Sequence, residues 1–240
     1  MEKSVHNISA SLIAKLVNEP VTSYEKLYKK FKEGVKFAPR AYSVFFDSVE
    51  KMINGIQESE IYDFLNSANY INHKYIDWKN KNIETFTKFA NFLKSKKWEN
   101  KLFLYKGNTL RILFEYGNDY EKGVRIKLTP HFVLKNKNKK YLLYIIPSSK
   151  KIWKADHVKA LYAIGTELIK ENNLKYDGFY VYHISQEMLV HNIGTKKLFN
   201  KVKMNAKYFA ISVLDRAKKE KVQRIISIAE EFNGFDELEF

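Results

Sequence analysis

Residues 124–165 read VRIKLTPHFVLKNKNKKYLLYIIPSSKKIWKADHVKALYAIG, and the fold turns on how this stretch is divided. Apolar residues at Val124, Ile126, Leu128, Phe132 and Leu134 predict a strand over 124–134. Pro130 interrupts it. Proline cannot donate to a ladder, so an edge position or a bulge is expected there. The polar run at 136–140, between two apolar runs, is a hairpin signal. Tyr141–Ile146 is apolar and aromatic without alternation, as in a strand covered on both faces. Pro147, Ser148 and Ser149 end it. Val158, Leu161, Tyr162, Ile164 and Leu168 then recur at helical spacing. Strand, turn, strand, loop and helix follow in that order, which predicts an α/β class.

The segments before this stretch are mostly helical in pattern. A helix is expected over 7–17, with Ser9 as its cap and Leu12, Ile13, Leu16 and Val17 as its apolar stripe, ended by Glu19-Pro20. Further helices are expected over 24–31, 41–56 and 58–97, with Gly55 as a stop for the second. The aromatic residues of 58–97 are read as core. Lys74, Lys79, Lys81 and Lys88 among them also suit base stacking beside phosphate contacts. Leu102–Tyr105 and Thr109–Tyr116 read as a hairpin around Lys106-Gly107-Asn108. After the helix that ends near Asn172, a strand is expected over 178–184, a short helical turn over 185–190, and a long amphipathic helix over 205–232.

The chain has 240 residues, 45% of them hydrophobic and 15% aromatic, enough for one sizeable core. It carries 42 Lys+Arg against 27 Asp+Glu, a formal charge of +15. Such a field favours polyanions, nucleic acid first. Coding bias in an A/T-rich genome accounts for part of the lysine. No run approaches the ~20 apolar residues of a membrane span. MEKSVHNIS lacks the apolar core of a secretory signal. With no cysteine, disulfides and thiolate metal sites are excluded, and a cytoplasmic location is the simplest expectation. Phosphate-loop, dinucleotide, zinc and nucleophile-elbow motifs are absent; Gly194-Thr195-Lys196 lacks the upstream glycine of a phosphate loop.

Six segments taken together carry a resemblance. They are Ile8-Ser9-Ala10-Ser11 with Glu19-Pro20, AYSVFFDSVEKMI at 41–53, Glu115, Pro130-His131, Tyr144-Ile145-Ile146, and Val158 with Tyr162. Their order resembles the PD-(D/E)XK nuclease superfamily, in particular its RecB-type and phage-exonuclease-type members, over roughly residues 7–182. The resemblance implies a restriction-endonuclease-like fold with a mixed central sheet flanked by helices. A single domain over 1–240 is expected: a mainly helical part at 1–100, a sheet core at 101–185, a helix at 205–232 and an acidic tail at 233–240.

In that family a histidine, a glutamate, the aspartate of Pro-Asp and the acid of (D/E)-x-K surround one or two Mg²⁺ ions, hard cations that take oxygen ligands. The metal generates hydroxide, and the lysine neutralises charge. Here Val49, His131, Tyr144, Ile146 and Val158 stand at the matching positions, and only Glu115 is retained. His131 is a poor Mg²⁺ ligand, Tyr144 is protonated at neutral pH, and Ile146 carries no charge. The expected protein is therefore a catalytically inactive nuclease-fold DNA binder, without a cofactor, serving phage or mobile-element replication, recombination or packaging. One alternative is a divergent Mg²⁺-dependent nuclease whose oxygens come from Glu115, Asp119, Glu121 or Asp156. A second is a virion or protein-interaction scaffold. His131 with Glu115 as partner could hold a transition metal; a satisfied or exposed histidine after a proline is the favoured reading.

The residues expected to contact phosphates are Lys127, Lys135, Lys137, Lys139, Lys140, Lys150, Lys151 and Lys154, with Ser148 and Ser149. The acidic end, Asp236, Glu237 and Glu239 before Phe240, resembles the tips of single-stranded-DNA-binding proteins, which recruit replication partners. A frayed end is the plainer reading.

Overall fold

A computed structural model describes residues 4–35, 42–68, 75–117, 121–147 and 153–217. The chain opens with β1 (Ser4–Ser9) and α1 (Ala10–Leu16), followed by α2 (Tyr24–Val35), α3 (Ser43–Ile53), α4 (Glu58–Ser67) and α5 (Tyr75–Lys96). Then come β2 (Leu102–Leu104), β3 (Leu110–Tyr116), β4 (Lys122–Leu128), β5 (Phe132–Asn136) and β6 (Lys139–Ile146). Helix α6 (Ala155–Glu171), β7 (Gly178–His183), β8 (Met188–Val190) and α7 (Lys196–Phe209) complete it, and α7 continues as a π-helical turn over 210–215. The class is α/β, with mixed sheets flanked by helices.

The expected single central sheet is in fact two sheets, and Pro130 is where they part. The strand predicted over 124–134 divides into β4 and β5. Strand β4 lies at the centre of a three-stranded sheet ordered β1-β4-β3, and β5 belongs to a five-stranded sheet ordered β2-β5-β6-β7-β8. The same division corrects the hairpin expected around Lys106-Gly107-Asn108. Strand β2 pairs antiparallel with β5, and β3 pairs antiparallel with β4, so β2 and β3 do not pair with each other. The two pairs form one long ribbon bent at a corner. Its junction has Tyr105–Thr109 on one strand against Thr129–His131 on the other. The Tyr105 N–H donates to the His131 carbonyl at 3.1 Å, and the Thr109 and Thr129 hydroxyls meet at 2.8 Å. Strands that change sheet commonly do so at such a bulged corner. Proline suits it because the missing N–H falls where the ladder is interrupted.

The first segment also differs from expectation. Ser4–Ser9 is a strand parallel to β4, and the helix starts only at Ala10. Ser9 is the cap, as its residue type predicts: its hydroxyl accepts from the Leu12 N–H at 3.2 Å while its own backbone is extended. A cap at Ser9 obliges the residues before it to be non-helical, so the 7–17 helix is shortened at its start. Further on, 58–97 divides into α4 and α5, and 24–31 extends to Val35. The turn predicted over 185–190 splits into a 3₁₀ turn at 184–186 and the edge strand β8. The last helix starts at Lys196, before the expected 205; its part beyond 217, like the tail at 233–240, lies outside the described residues.

Strand β6 is covered on both faces, as its unbroken apolar run implies. Leu142 and Ile146 point into a core shared with α1, α6, α7, β3 and β4. Leu143 and Ile145 point into a second core, with Phe45, Val49, Ile61, Leu65, Phe86, Phe89 and Leu93 of α3–α5. The layers are therefore α3–α5, the five-stranded sheet, α6 with α1 and α7, and the three-stranded sheet. The aromatics of α5 read as core are core: Phe86 and Phe89 are fully buried, and Phe92 stacks on Tyr182 at 3.7 Å. Among the described residues no helix is long and apolar enough to cross a membrane.

Asp215, in the π-helical turn, ties α7 to the three-stranded sheet. It accepts hydrogen bonds from His6 Nε2 at 2.8 Å, from Lys122 Nζ at 3.1 Å and from the Tyr116 hydroxyl at 3.2 Å. Burial alone would raise its pKa; the bonds from His6 and Lys122 outweigh this and hold the carboxyl below its usual range. Asp215→Ala is expected to cost about 1 kcal/mol, since charge-assisted bonds are lost and three polar groups lose their acceptor. Urea midpoints of variant and parent at neutral pH measure it; equal midpoints would show that the cluster contributes nothing.

Candidate nucleic-acid interface

The positions matched to the nuclease metal site separate into four places. Val49 is buried in the α3–α5 core, and Ile146 and Val158 are buried in the core around α6. Glu115 lies on the three-stranded sheet, opposite Gly123 of β4. Only His131 and Tyr144 meet, because the β5–β6 hairpin sets the residue before β5 beside the middle of β6. Their rings stack at 4.3 Å, and Phe46 of α3 lies 4.6 Å from the His131 ring.

This neighbourhood is uncharged. The Ile145 N–H donates to His131 Nδ1 at 2.9 Å, so the ring proton resides on Nε2. Enclosure between Phe46 and Tyr144 lowers the His131 pKa to about 3. Burial raises that of Tyr144, whose hydroxyl lies 3.2 Å from Ser11 Oγ. His131 is thus a neutral, half-buried histidine in an aromatic wall, with its Nδ1 bonded to the backbone. Of the oxygen donors considered as relocated ligands, Asp156 accepts from Asn18 Nδ2 at 2.9 Å, Glu121 is exposed just before β4, and Asp119 lies outside the described residues. No group of three or more His, Asp or Glu side chains among the described residues is spaced to hold a metal ion.

The expected phosphate contacts also divide. Ser148, Ser149, Lys150 and Lys151 lie outside the described residues, as do the tail residues Asp236, Glu237, Glu239 and Phe240. Lys154, largely exposed, forms an ion pair with Glu19 at 3.0 Å. Lys137 and Lys139 are exposed at the hairpin turn. Lys135 and Lys140 face each other across that hairpin. Lys127 lies on β4, on the outer face of the three-stranded sheet.

That outer face contains residues the charge count alone did not single out. In β3 the even positions Leu110, Ile112, Phe114 and Tyr116 are buried, so Arg111, Leu113 and Glu115 point outward. The register places Arg111 beside Lys127 and Leu113 beside Arg125, with Ser9 and Asn7 of β1 on the other side of Lys127 and Arg125. Arg111, Arg125 and Lys127 form no ion pair with any described carboxylate. Glu115 is the one acid in the outward rows of β3 and β4. The strict alternation of 110–116 was the available signal for Arg111, and the pairing of β3 with β4 adds Arg125.

Comparison of the sequence with protein-family models and with curated proteins returned no match.

Proposed function

We propose that this protein is a non-catalytic DNA-binding protein on a restriction-endonuclease-like frame, acting in phage or mobile-element replication, recombination or packaging. The observation that carries the binding is the outer face of the three-stranded sheet. It presents Arg111, Arg125 and Lys127 side by side, with no described carboxylate paired to them. The ladder fixes the spacing of the three backbone positions, so their cations fall in one row that a phosphate backbone can follow. The net charge of +15 adds long-range attraction.

The nuclease frame is supported by the β5–β6 hairpin, the helix α6 and the parallel strand β7 that follow one another, and by the meeting of His131 with Tyr144. Inactivity is supported by the residues at that meeting point. The two stacked rings, an imidazole that stays neutral and a phenol, supply no carboxylate for a hard cation.

The test is binding of labelled duplex DNA followed by fluorescence anisotropy as a function of salt. Affinity is expected to fall steeply between about 50 and about 200 mM salt, because phosphate contacts release counterions. Arg125→Ala/Lys127→Ala is expected to weaken binding about tenfold and to lower the salt slope by about two. No binding at low salt, or a double variant with unchanged affinity and slope, rejects the reading. Incubation with Mg²⁺ or Mn²⁺ is expected to leave the DNA intact. Cleavage abolished by Glu115→Ala establishes the nuclease alternative instead.

A further inference from the structure

At the β2 edge of the five-stranded sheet lies a second basic surface of different character. It is an open groove of about 600 Å³, lined by Phe103, Lys106, Val133, Lys135, Lys140 and Tyr176 among others, with no carboxylate in its wall. The register explains it. Phe103 lies opposite Val133, which lies opposite Leu142, and Lys135 lies opposite Lys140. Side chains alternate along a strand, so Phe103, Val133, Lys135 and Lys140 share one face of the sheet. Leu142 on that face is covered by the α6 core, whereas Phe103 is 39% exposed. The bend between β2 and β3 brings Lys106 to one rim, and Tyr176, after the end of α6, stands at another.

A phenylalanine so exposed on an edge strand needs a physical account. It packs no core, and its ring carries the Lys135 ammonium 4.0 Å from its centre. The pairing fixes a flat apolar ring and a positive charge at one spot. A ligand with alternating flat aromatic faces and negative charges complements that spot.

We propose that this groove binds single-stranded nucleic acid, with bases stacked on Phe103 and Tyr176 and phosphates held by Lys106, Lys135 and Lys140. The inference rests on the DNA-binding reading and adds a subsite and a substrate class to it. A base in a duplex has both faces covered by its neighbours and cannot offer one to a ring; a base in a single strand can. Phenylalanine has no hydrogen-bonding group, so recognition at Phe103 is expected to be tolerant of sequence. On entry of a strand the Lys135 ammonium moves from the ring to the phosphate beside the stacked base. The outer face of the three-stranded sheet has no aromatic side chain in its outward rows of β3 and β4, so it serves phosphates of either form. The surfaces adjoin near the end of α6: Asn172 donates to the Arg111 carbonyl at 3.0 Å, and Tyr176 follows four residues later.

The experiment measures the full-length protein against a labelled oligo-dT strand and a labelled duplex of equal charge. Phe103→Ala is expected to weaken oligo-dT binding about tenfold and to leave duplex binding within about twofold, and Phe103→Trp to retain oligo-dT binding. Lys106→Glu, on an exposed loop, gives the same selective loss independently of any effect on packing. Unchanged oligo-dT affinity in both Phe103→Ala and Lys106→Glu overturns the subsite. So does an equal loss on duplex in either variant. Duplex binding that depends on Arg125 and Lys127, with both groove variants silent, rejects the subsite alone. A parent protein that binds neither probe rejects the DNA-binding reading with it.

Discussion

Lowering the pH from neutral toward 5 is expected to destabilise this protein at up to about 2.7 kcal/mol per pH unit, well before most carboxylates titrate. Two histidines are responsible. His183, at the end of β7, is fully buried, and its pKa is lowered to about 4 by loss of solvent. Its Nδ1 accepts the Gln186 N–H at 3.1 Å, so the ring proton sits on Nε2, which has no partner among the described residues. His131 is lowered to about 3 by the same cause. In an unfolded chain both titrate near 6.5. Below that value the unfolded state takes up protons that the folded state refuses. The stability is fully present above about 6.5 and is lost as pH falls toward the folded values. His157 adds in the same direction: burial, first, and then the Lys154 charge lower its pKa.

Each histidine contributes a slope of about 1.4 kcal/mol per pH unit inside that window. Between pH 7 and 5, where only the part below about 6.5 carries the full slope, the sum is roughly 4 kcal/mol, approaching the whole stability of a marginal domain. Urea unfolding at a series of pH values between 7 and 5 measures it. The double variant His131→Asn/His183→Asn is the control. Asparagine keeps an acceptor for the Ile145 and Gln186 N–H groups but does not titrate. It is expected to be less stable than the parent at pH 7 and to keep only the pH dependence that His157 contributes. A parent that is equally stable at both ends of the range, or a variant with the parent's slope, shows that these rings are protonated in the fold.

The same residues mark what the sequence could and could not disclose. The β5–β6 hairpin and α6 were legible because each depends on local pattern: a polar turn, an unbroken apolar run, a helical period. Ser9 as a cap was legible for the same reason. The division at Pro130 was not. A proline in an apolar run signals a break, but whether the chain resumes in the same sheet depends on what β2 and β3 pair with. Pairing is a non-local choice. Lys106-Gly107-Asn108 has hairpin chemistry, and the alternative partners β4 and β5 outcompeted it. The site followed suit. Lysines could be counted, yet Lys154 is matched by Glu19, over a hundred positions earlier, and Arg111 gained its place only through the register with Lys127. His131 could be read as a poor Mg²⁺ ligand from its type alone. That it stacks between Phe46 and Tyr144 required α3 to be placed beside the hairpin.

Gly165, the last residue of the deciding stretch, carries the second large prediction. In an exposed helix, replacing an interior glycine by alanine stabilises by about 1 kcal/mol. Here the sign is expected to reverse. A Cβ on Gly165 would stand 2.3 Å from two carbons of the Phe179 ring. Phe179 is 1% exposed, on the strand β7 that α6 covers, and has no solvent into which to swing. Helix α6 cannot simply lift, because it packs against β7 on one side and α1, α7 and β3 on others. Close-packed interiors answer such an insertion with strained rotamers and shifted backbone. Gly165→Ala is therefore expected to cost about 2–3 kcal/mol net of the helical gain, read as a lowered urea midpoint with an unchanged denaturant slope. The cause is separable from glycine's flexibility by a cycle. In a Phe179→Leu background the obstructing ring is gone, and Gly165→Ala is expected to become neutral or stabilising there. An equal loss in both backgrounds would place the penalty elsewhere than in the ring. The inference reaches beyond one contact. A glycine that lets α6 settle onto β7 fixes the spacing between the five-stranded sheet and the layer below it. The α6 terminus then sets where Asn172 grips the Arg111 backbone and where Tyr176 meets the groove.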